Sequence, residues 1–275
     1  MVIAQGPRRW LLTLLPVLAA AAGISARTQT SKPFEPVSGQ PGKDVVWVPT
    51  PQPLVEKMLD LAGVTPADYV VDLGSGDGRT VIAAAKRGAR ALGVEYNPDM
   101  VALSQRNAAA QGVADRASFL KADLFETDFS KATVVTMFLL PSINLRLRPK
   151  ILEMKPGTRI VSNSFDMEDW MPDETATIPN CTQWCQALFW VVPAKVEGTW
   201  RLPQGELTLT QKYQMLSGSL AEGGRVQPIE GKLRGDAITF KAGAAQYEGR
   251  VDGNTMSGTL TSGGATSKWQ ATRAR

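Results

Sequence analysis

Between Tyr69 and Lys86 a short apolar run ends in a carboxylate, three glycines alternate with polar residues, and a helix-forming segment follows. The core of this feature is Val70-Val71-Asp72-Leu73-Gly74-Ser75-Gly76-Asp77-Gly78-Arg79. A Cβ at the glycines would keep the backbone away from a ligand. The loop therefore predicts a binding crevice at the carboxyl end of a strand, where open α/β sheets bind ligands. The spacing is Gly-x-Gly-x-Gly, not the Gly-x-Gly-x-x-Gly of dinucleotide folds. Asp72 and Asp77 would repel a pyrophosphate and suit a cationic ligand carrying an ammonium and a sulfonium.

The surrounding sequence alternates two periodicities. Leu54, Val55, Met58, Leu59 and Leu61 fall on one face of a helix over residues 53–61. Strands are predicted at 69–73, 91–95, 117–121, 134–139, 159–164 and 188–192, and helices at 80–86, 98–110 and 144–154. The nearly all-apolar run at 134–139 fits a strand buried on both faces. Repeated β-α units predict an α/β fold over residues 45–194, a Rossmann-like, doubly wound, mostly parallel sheet. From about Val196 glycines punctuate strand-like runs at 206–210, 231–233, 237–240, 245–251, 255–260 and 268–271. That spacing predicts a small antiparallel β domain, a sheet or barrel, over residues 195–275. Four Gly-x-apolar triplets begin at Gly218, Gly231, Gly249 and Gly258 and fit repeated hairpin geometry.

Composition removes several chemistries. The chain has no histidine, which excludes Ser-His-Asp and Cys-His catalysis and His-ligated metals. Its two cysteines, Cys181 and Cys185, cannot make a four-ligand zinc site, so no metal is expected. The net charge of +4 arises entirely after residue 194, where 11 basic face 7 acidic residues without a basic run, so no nucleic-acid partner is expected. Residues 1–26 read as a signal peptide, with Arg8 and Arg9 before an apolar stretch at 10–22 and small residues after it. The stretch is shorter than the roughly 20 residues that span a bilayer, which favours cleavage over a membrane tether. Arg8-Arg9-Trp10-Leu11-Leu12 resembles a twin-arginine export signal, so a periplasmic location is expected. There Cys181 and Cys185 could pair, or remain two buried thiols. Residues 27–44 read as a linker.

Two further acids follow in register. Glu95 ends the second predicted strand, where a carboxylate can accept from both ribose hydroxyls. Asp123 follows the third, placed for an adenine amino group, with Leu124 against the ring. At this point the chain resembles the class I S-adenosylmethionine-dependent methyltransferases. Narrower segments are similar to the seven-strand protein-lysine methyltransferases, which include the archaeal broad-specificity enzyme and the mitochondrial enzyme acting on the ATP synthase c subunit. These segments are Val46-Trp47-Val48-Pro49-Thr50-Pro51, Gly93-Val94-Glu95-Tyr96-Asn97-Pro98, Phe138-Leu139-Leu140-Pro141-Ser142, Pro156 to Asn163, and Phe165 to Trp170. The resemblance implies S-adenosylmethionine as cofactor, held by Thr50, Asp72, Gly74, Ser75, Gly76, Gly78, Glu95, Tyr96, Asp123 and Leu124. It implies an acceptor pocket near Leu140, Pro141, Ser142, Ser162, Asn163 and Phe165, with Trp47 and Thr50 at the mouth. The acceptor would be a protein lysine, or else a small molecule or lipid. A third alternative is an exported cofactor-binding protein without turnover.

Overall fold

The computed structural model describes residues 1–6 and 34–274. The expected signal peptide beyond residue 6, and the linker up to residue 33, lie outside the described residues. Four helices and the first seven strands form an α/β layer structure. In chain order these are α1 (Gln52–Leu61), β1 (Tyr69–Leu73), α2 (Arg79–Lys86), β2 (Arg90–Glu95), α3 (Pro98–Ala110), β3 (Ala117–Lys121), β4 (Val134–Met137), α4 (Pro141–Leu152), β5 (Arg159–Asn163), β6 (Glu174–Thr177) and β7 (Gln186–Val191). The sheet runs β3-β2-β1-β4-β5-β7-β6. β1 to β5 are parallel, and β7 runs antiparallel between β5 and β6.

Strand alternation builds two cores. Val70, Val134 and Val161 face α1 and α2, against Leu54, Leu59, Val81 and Ile82. Their neighbours Val71, Val135 and Ile160 face the other way, against Ile143, Leu147 and Ile151 of α4. Each such side chain contributes about 2 kcal/mol by leaving water. The strand order reverses between β1 and β4. That switch point, at the carboxyl ends of the strands, is where a crevice must open.

Several boundaries differ from the sequence reading. β4 ends at Met137 rather than 139. α4 begins at Pro141 rather than 144, because proline suits the first helical turn. The strand expected at 188–192 begins at Gln186 and is antiparallel. The edge strand β6, Glu174–Thr177, had no apolar signal because it is short and mostly exposed.

The remaining strands close a barrel. They are β8 (Gly198–Leu202), β9 (Gly205–Lys212), β10 (Met215–Glu222), β11 (Arg225–Arg234), β12 (Ala237–Ala242), β13 (Ala245–Asp252), β14 (Thr255–Ser262) and β15 (Ala265–Arg273), with β15 pairing back onto β8. Closure leaves no open edge. The sequence runs missed β8 and β10 and shortened β11. The interior is filled by Trp200, Leu220, Phe240, Tyr247, Met256 and Trp269 among others. Gly249 and Gly258 pair across β13 and β14, and a Cβ on Gly258 would lie 1.9 Å from the Glu248 carbonyl oxygen. The triplet glycines therefore mark close backbone approach rather than a repeated site.

The barrel docks on the loop before β6. Tyr213 stacks on Trp170 at 5.8 Å, and Gln214 Nε2 donates to the Met171 carbonyl at 2.8 Å. Asp169 is the polar hub. It accepts from Tyr213 Oη at 2.9 Å and Arg148 Nη1 at 2.7 Å, and pairs with Lys212 at 3.1 Å. The Tyr213 and Lys212 donors, then Arg148, lower its carboxyl from 3.8 to about 2. A lowered folded value means the contact is intact above the ordinary value and is lost as pH falls through the folded one. Hydrogen exchange in residues 167–171 and 212–214 should therefore accelerate as pH drops from 3.8 towards about 2, after correction for intrinsic exchange. Asp169→Asn should abolish that pH dependence.

Candidate active site

A cavity of about 430 Å³ opens at the switch point, a size typical of small-molecule sites. Gly74, Ser75 and Gly76 form its floor, with Asp72, Glu95, Tyr96, Asp123 and Leu124 from the strand ends. Trp47, Thr50 and Leu140 also line it. The three strand ends singled out in the sequence thus converge on one space.

The glycine loop is shaped by what touches it. Gly76 has φ +53°, and a Cβ there would lie 2.5 Å from the Trp47 indole nitrogen. Any side chain would expel Trp47 from the cavity wall. Glu95 accepts from the Gly76 amide at 3.0 Å and from the Asn97 amide at 2.9 Å, one bond to each carboxylate oxygen. Each oxygen keeps acceptor capacity for a further donor. Asn97 then caps α3 by accepting from the Asp99 amide at 2.9 Å.

Asp72 is buried and accepts from Thr136 Oγ1 at 2.6 Å. Desolvation raises its carboxyl to about 7, opposed by the Thr136 bond and reinforced by Glu95 and Asp77. Ser75 Oγ is buried without a hydrogen-bond partner. Asp77 is bound to Arg79, whose Nη1 donates to the Thr50 carbonyl at 2.8 Å.

A hairpin over residues 39–47 forms another wall. It is closed by Gly39 N–H to Trp47 C=O at 2.8 Å and Trp47 N–H to Gln40 C=O at 2.9 Å. Its tip carries Lys43, which pairs with Asp123 and sits 4.8 Å from the Tyr96 ring centroid. Lys43, with the Phe125 amide, holds the Asp123 carboxyl below its usual range. Both Asp123 oxygens therefore already have partners in the protein. Lys43 escaped the sequence reading because the contact joins residues 80 apart in the chain.

Five expected site residues do not line the cavity. Gly78 caps α2 with φ +83° and packs against Phe119 and Ser104. Pro141 and Ser142 form the exposed first turn of α4. Asn163 is fully buried, and its Nδ2 donates to Thr50 Oγ1 at 3.2 Å. Ser162 is also fully buried and bonds the Phe165 carbonyl at 2.6 Å. These two hold the pocket's frame and are not its surface. Phe165, as expected, lines the far end, together with Phe138, Ile143 and Trp184.

The residues fit S-adenosylmethionine. Asp77 and Asp123 already pair with Arg79 and Lys43, while Asp72 and Glu95 line the cavity without a cationic partner among the described residues, matching a net-cationic ligand. The unpartnered Ser75 hydroxyl offers a hydrogen bond that the protein itself leaves unmade.

Residues 72–174 match the ANTKMT methyltransferase domain. A protein-lysine N-methyltransferase of Saccharolobus islandicus is 47% identical over 137 residues, covering 49% of this chain and 85% of that protein. The chain belongs to the family of seven-strand protein-lysine methyltransferases. The mouse lysine N-methyltransferase of the ATP synthase c subunit is 41% identical over 107 residues, covering 38% of this chain and 43% of that enzyme. A crystal structure from Salinibacter ruber, described as an RNA methyltransferase in complex with S-adenosyl-L-homocysteine, is 48% identical. It covers 54% of this chain and 96% of that one, with a TM-score of 0.51. The barrel strands, which begin at Gly198, lie beyond the matched domain.

Asp72 gives this family member a pH signature. Its raised folded value favours the fold at low pH, and that contribution is lost as pH rises through about 7. A bound cation favours the ionised form. The Kd for S-adenosylmethionine should therefore weaken several-fold as pH falls below about 7, with proton release on binding, measured by calorimetry in two buffers. The dependence should be smaller for S-adenosylhomocysteine, which lacks the sulfonium, and Asp72→Asn should flatten it.

Proposed function

We propose that this protein is an S-adenosylmethionine-dependent protein-lysine N-methyltransferase. One observation carries the reading. A single cavity joins an end rich in carboxylates to an apolar, aromatic end formed by Phe138, Leu140 and Phe165 after β4 and β5. The first suits the donor and the second an alkylamine acceptor. The Saccharolobus relative, matched over most of its own length, supports lysine as the acceptor.

When bound, S-adenosylmethionine supplies a methyl group on a positively charged sulfur. Glu95 and the Gly74–Gly76 backbone would hold the adenosyl end. Asp72, through its charge, would favour the cationic end. Lysine attacks only as the neutral amine, and its ordinary pKa of about 10.4 makes that form scarce at neutral pH. The aliphatic wall of Leu139, Leu140 and Ile143 disfavours the ammonium, so the amine sheds its proton to solvent as it enters. No histidine base exists, and none is needed if the wall shifts that equilibrium. The remaining task is alignment of amine, methyl and sulfur in line, at about 3–3.5 Å between the reacting atoms.

Incubation of the full chain with methyl-labelled cofactor and a periplasmic or membrane extract should label polypeptide, and acid hydrolysis should release methyl-lysine. Label confined to small molecules, lipids or RNA would overturn the lysine assignment. Glu95→Ala should weaken cofactor binding by roughly tenfold or more, because it removes a charged acceptor from the cavity and releases the Gly76 and Asn97 amides that it holds.

We also propose that the protein is exported, on the evidence of its N-terminal sequence. The disulfide between Cys181 and Cys185 supports an oxidising compartment. Export in a folded state would carry cofactor along, but one bound molecule supports one turnover. Among the described residues no helix is long and apolar enough to cross a membrane. Mass spectrometry of the native protein should find a mature N-terminus after Ala22 or Ala26 and an intact disulfide. An intact Met1 in protein retained in the cytosol would refute export.

A further inference from the structure

Trp184 stands in the acceptor end of the cavity although nothing in its local sequence marks it. It lies between Cys181 and Cys185, which are disulfide-bonded with their Cα atoms 5.7 Å apart. Its backbone has φ +57°, a left-handed conformation that bulky residues rarely adopt. Such an outlier persists only where the surroundings impose it, and it marks candidate functional positions. Here the disulfide-closed loop from Cys181 to Cys185 and the β7 strand that follows impose it.

The result is a wall of three rings. Phe138 and Phe165 stack at 5.9 Å, and Trp184 tilts against them at 5.8 and 5.1 Å. The rings touch one another and do not encircle an empty space, so they present one continuous face to the cavity. Trp184 keeps 38% of its surface exposed, so part of that face meets solvent. Phe138 and Phe165 come from the ends of β4 and β5, inside the residues that match the family domain. Trp184 and its disulfide lie outside them.

We infer that Trp184 is a specificity-determining residue of this enzyme, and that the Cys181–Cys185 bond positions it. The inference rests on the lysine reading above. The four-carbon stem of an incoming lysine lies along the aromatic face, and the methylated ammonium formed by transfer gains from the indole's electron-rich surface. In the transfer itself the amine lone pair forms the N–C bond as the S–C bond breaks, and the sulfur leaves neutral. The new methylammonium must lose a proton before a second round.

Two measurements on the full-length chain test this. The first is calorimetric titration of n-butyltrimethylammonium into protein saturated with S-adenosylhomocysteine. The second is steady-state methylation of poly-L-lysine. Trp184→Ala should weaken n-butyltrimethylammonium binding and raise the KM for poly-L-lysine, each by about tenfold, with kcat and homocysteine-ligand affinity little changed. Trp184→Phe should recover most of the loss, which a merely structural role would not require. Reduction of wild type by a dithiol, which closes to its own disulfide while Cys181 and Cys185 take up two electrons and two protons, should raise KM in the same direction. The double variant Cys181→Ser, Cys185→Ser should show that raised KM without further response to reductant. Unchanged butyltrimethylammonium binding in Trp184→Ala, with S-adenosylhomocysteine still bound, would overturn the inference and leave the lysine reading standing. Trp184-dependent binding of the cation by a wild type that methylates no polypeptide would support the site and refute the lysine reading.

Discussion

The hydrogen bond from the Gly76 amide to the Glu95 carboxylate ties the two strand ends that make the cleft. It draws the glycine loop over β2 and fixes where an adenosyl group can lie. Gly76 must lack a side chain for this to happen, because the Trp47 ring occupies the space a Cβ would take. The same bond explains why two carboxylates can share a buried neighbourhood. Glu95 is bound by two backbone amides, while burial, only partly offset by threonine hydroxyls, raises Asp72 towards neutrality. Charge is thereby held in reserve until a cation arrives.

The other elements frame this bond from outside. Asn163 secures Thr50, and Arg79 ties the Thr50 carbonyl to the glycine loop, so the segment before α1 is held from two sides. The Lys43 hairpin covers the Asp123 side. The barrel adds no lining residue to the cavity. Its packed interior and its contacts with Trp170 and Asp169 make it a buttress for the segment leading to β6 and β7, the strand that follows Trp184.

Legibility followed distance along the chain. The strand, glycine loop and helix at residues 69–86 were readable because their chemistry is contiguous, and Glu95 and Asp123 because one ends a strand-like run and the other follows the next one by two residues. β6 was not, since Glu-Thr-Ala-Thr at an exposed edge carries no burial signal. β10 was hidden by Gly218, whose Cβ would strike the Thr208 carbonyl oxygen and whose absence of side chain breaks the alternation. Pro141 and Ser142 were drawn towards the pocket by their place after β4, but a helix that starts at Pro141 turns both outward.

The amino-acid sequence by itself determined the donor half of the cleft: which strands end in acids, where the backbone is bare, and that no histidine can serve as base. Local patterns suffice there because each residue acts from the end of its own strand. Only the tertiary structure decided that Lys43 occupies Asp123, that Asn163 props a wall it does not line, that eight strands close on themselves, and that a disulfide loop delivers Trp184 to the acceptor side. Those outcomes depend on groups brought together across long stretches of chain, and packing, not periodicity, selects among such meetings.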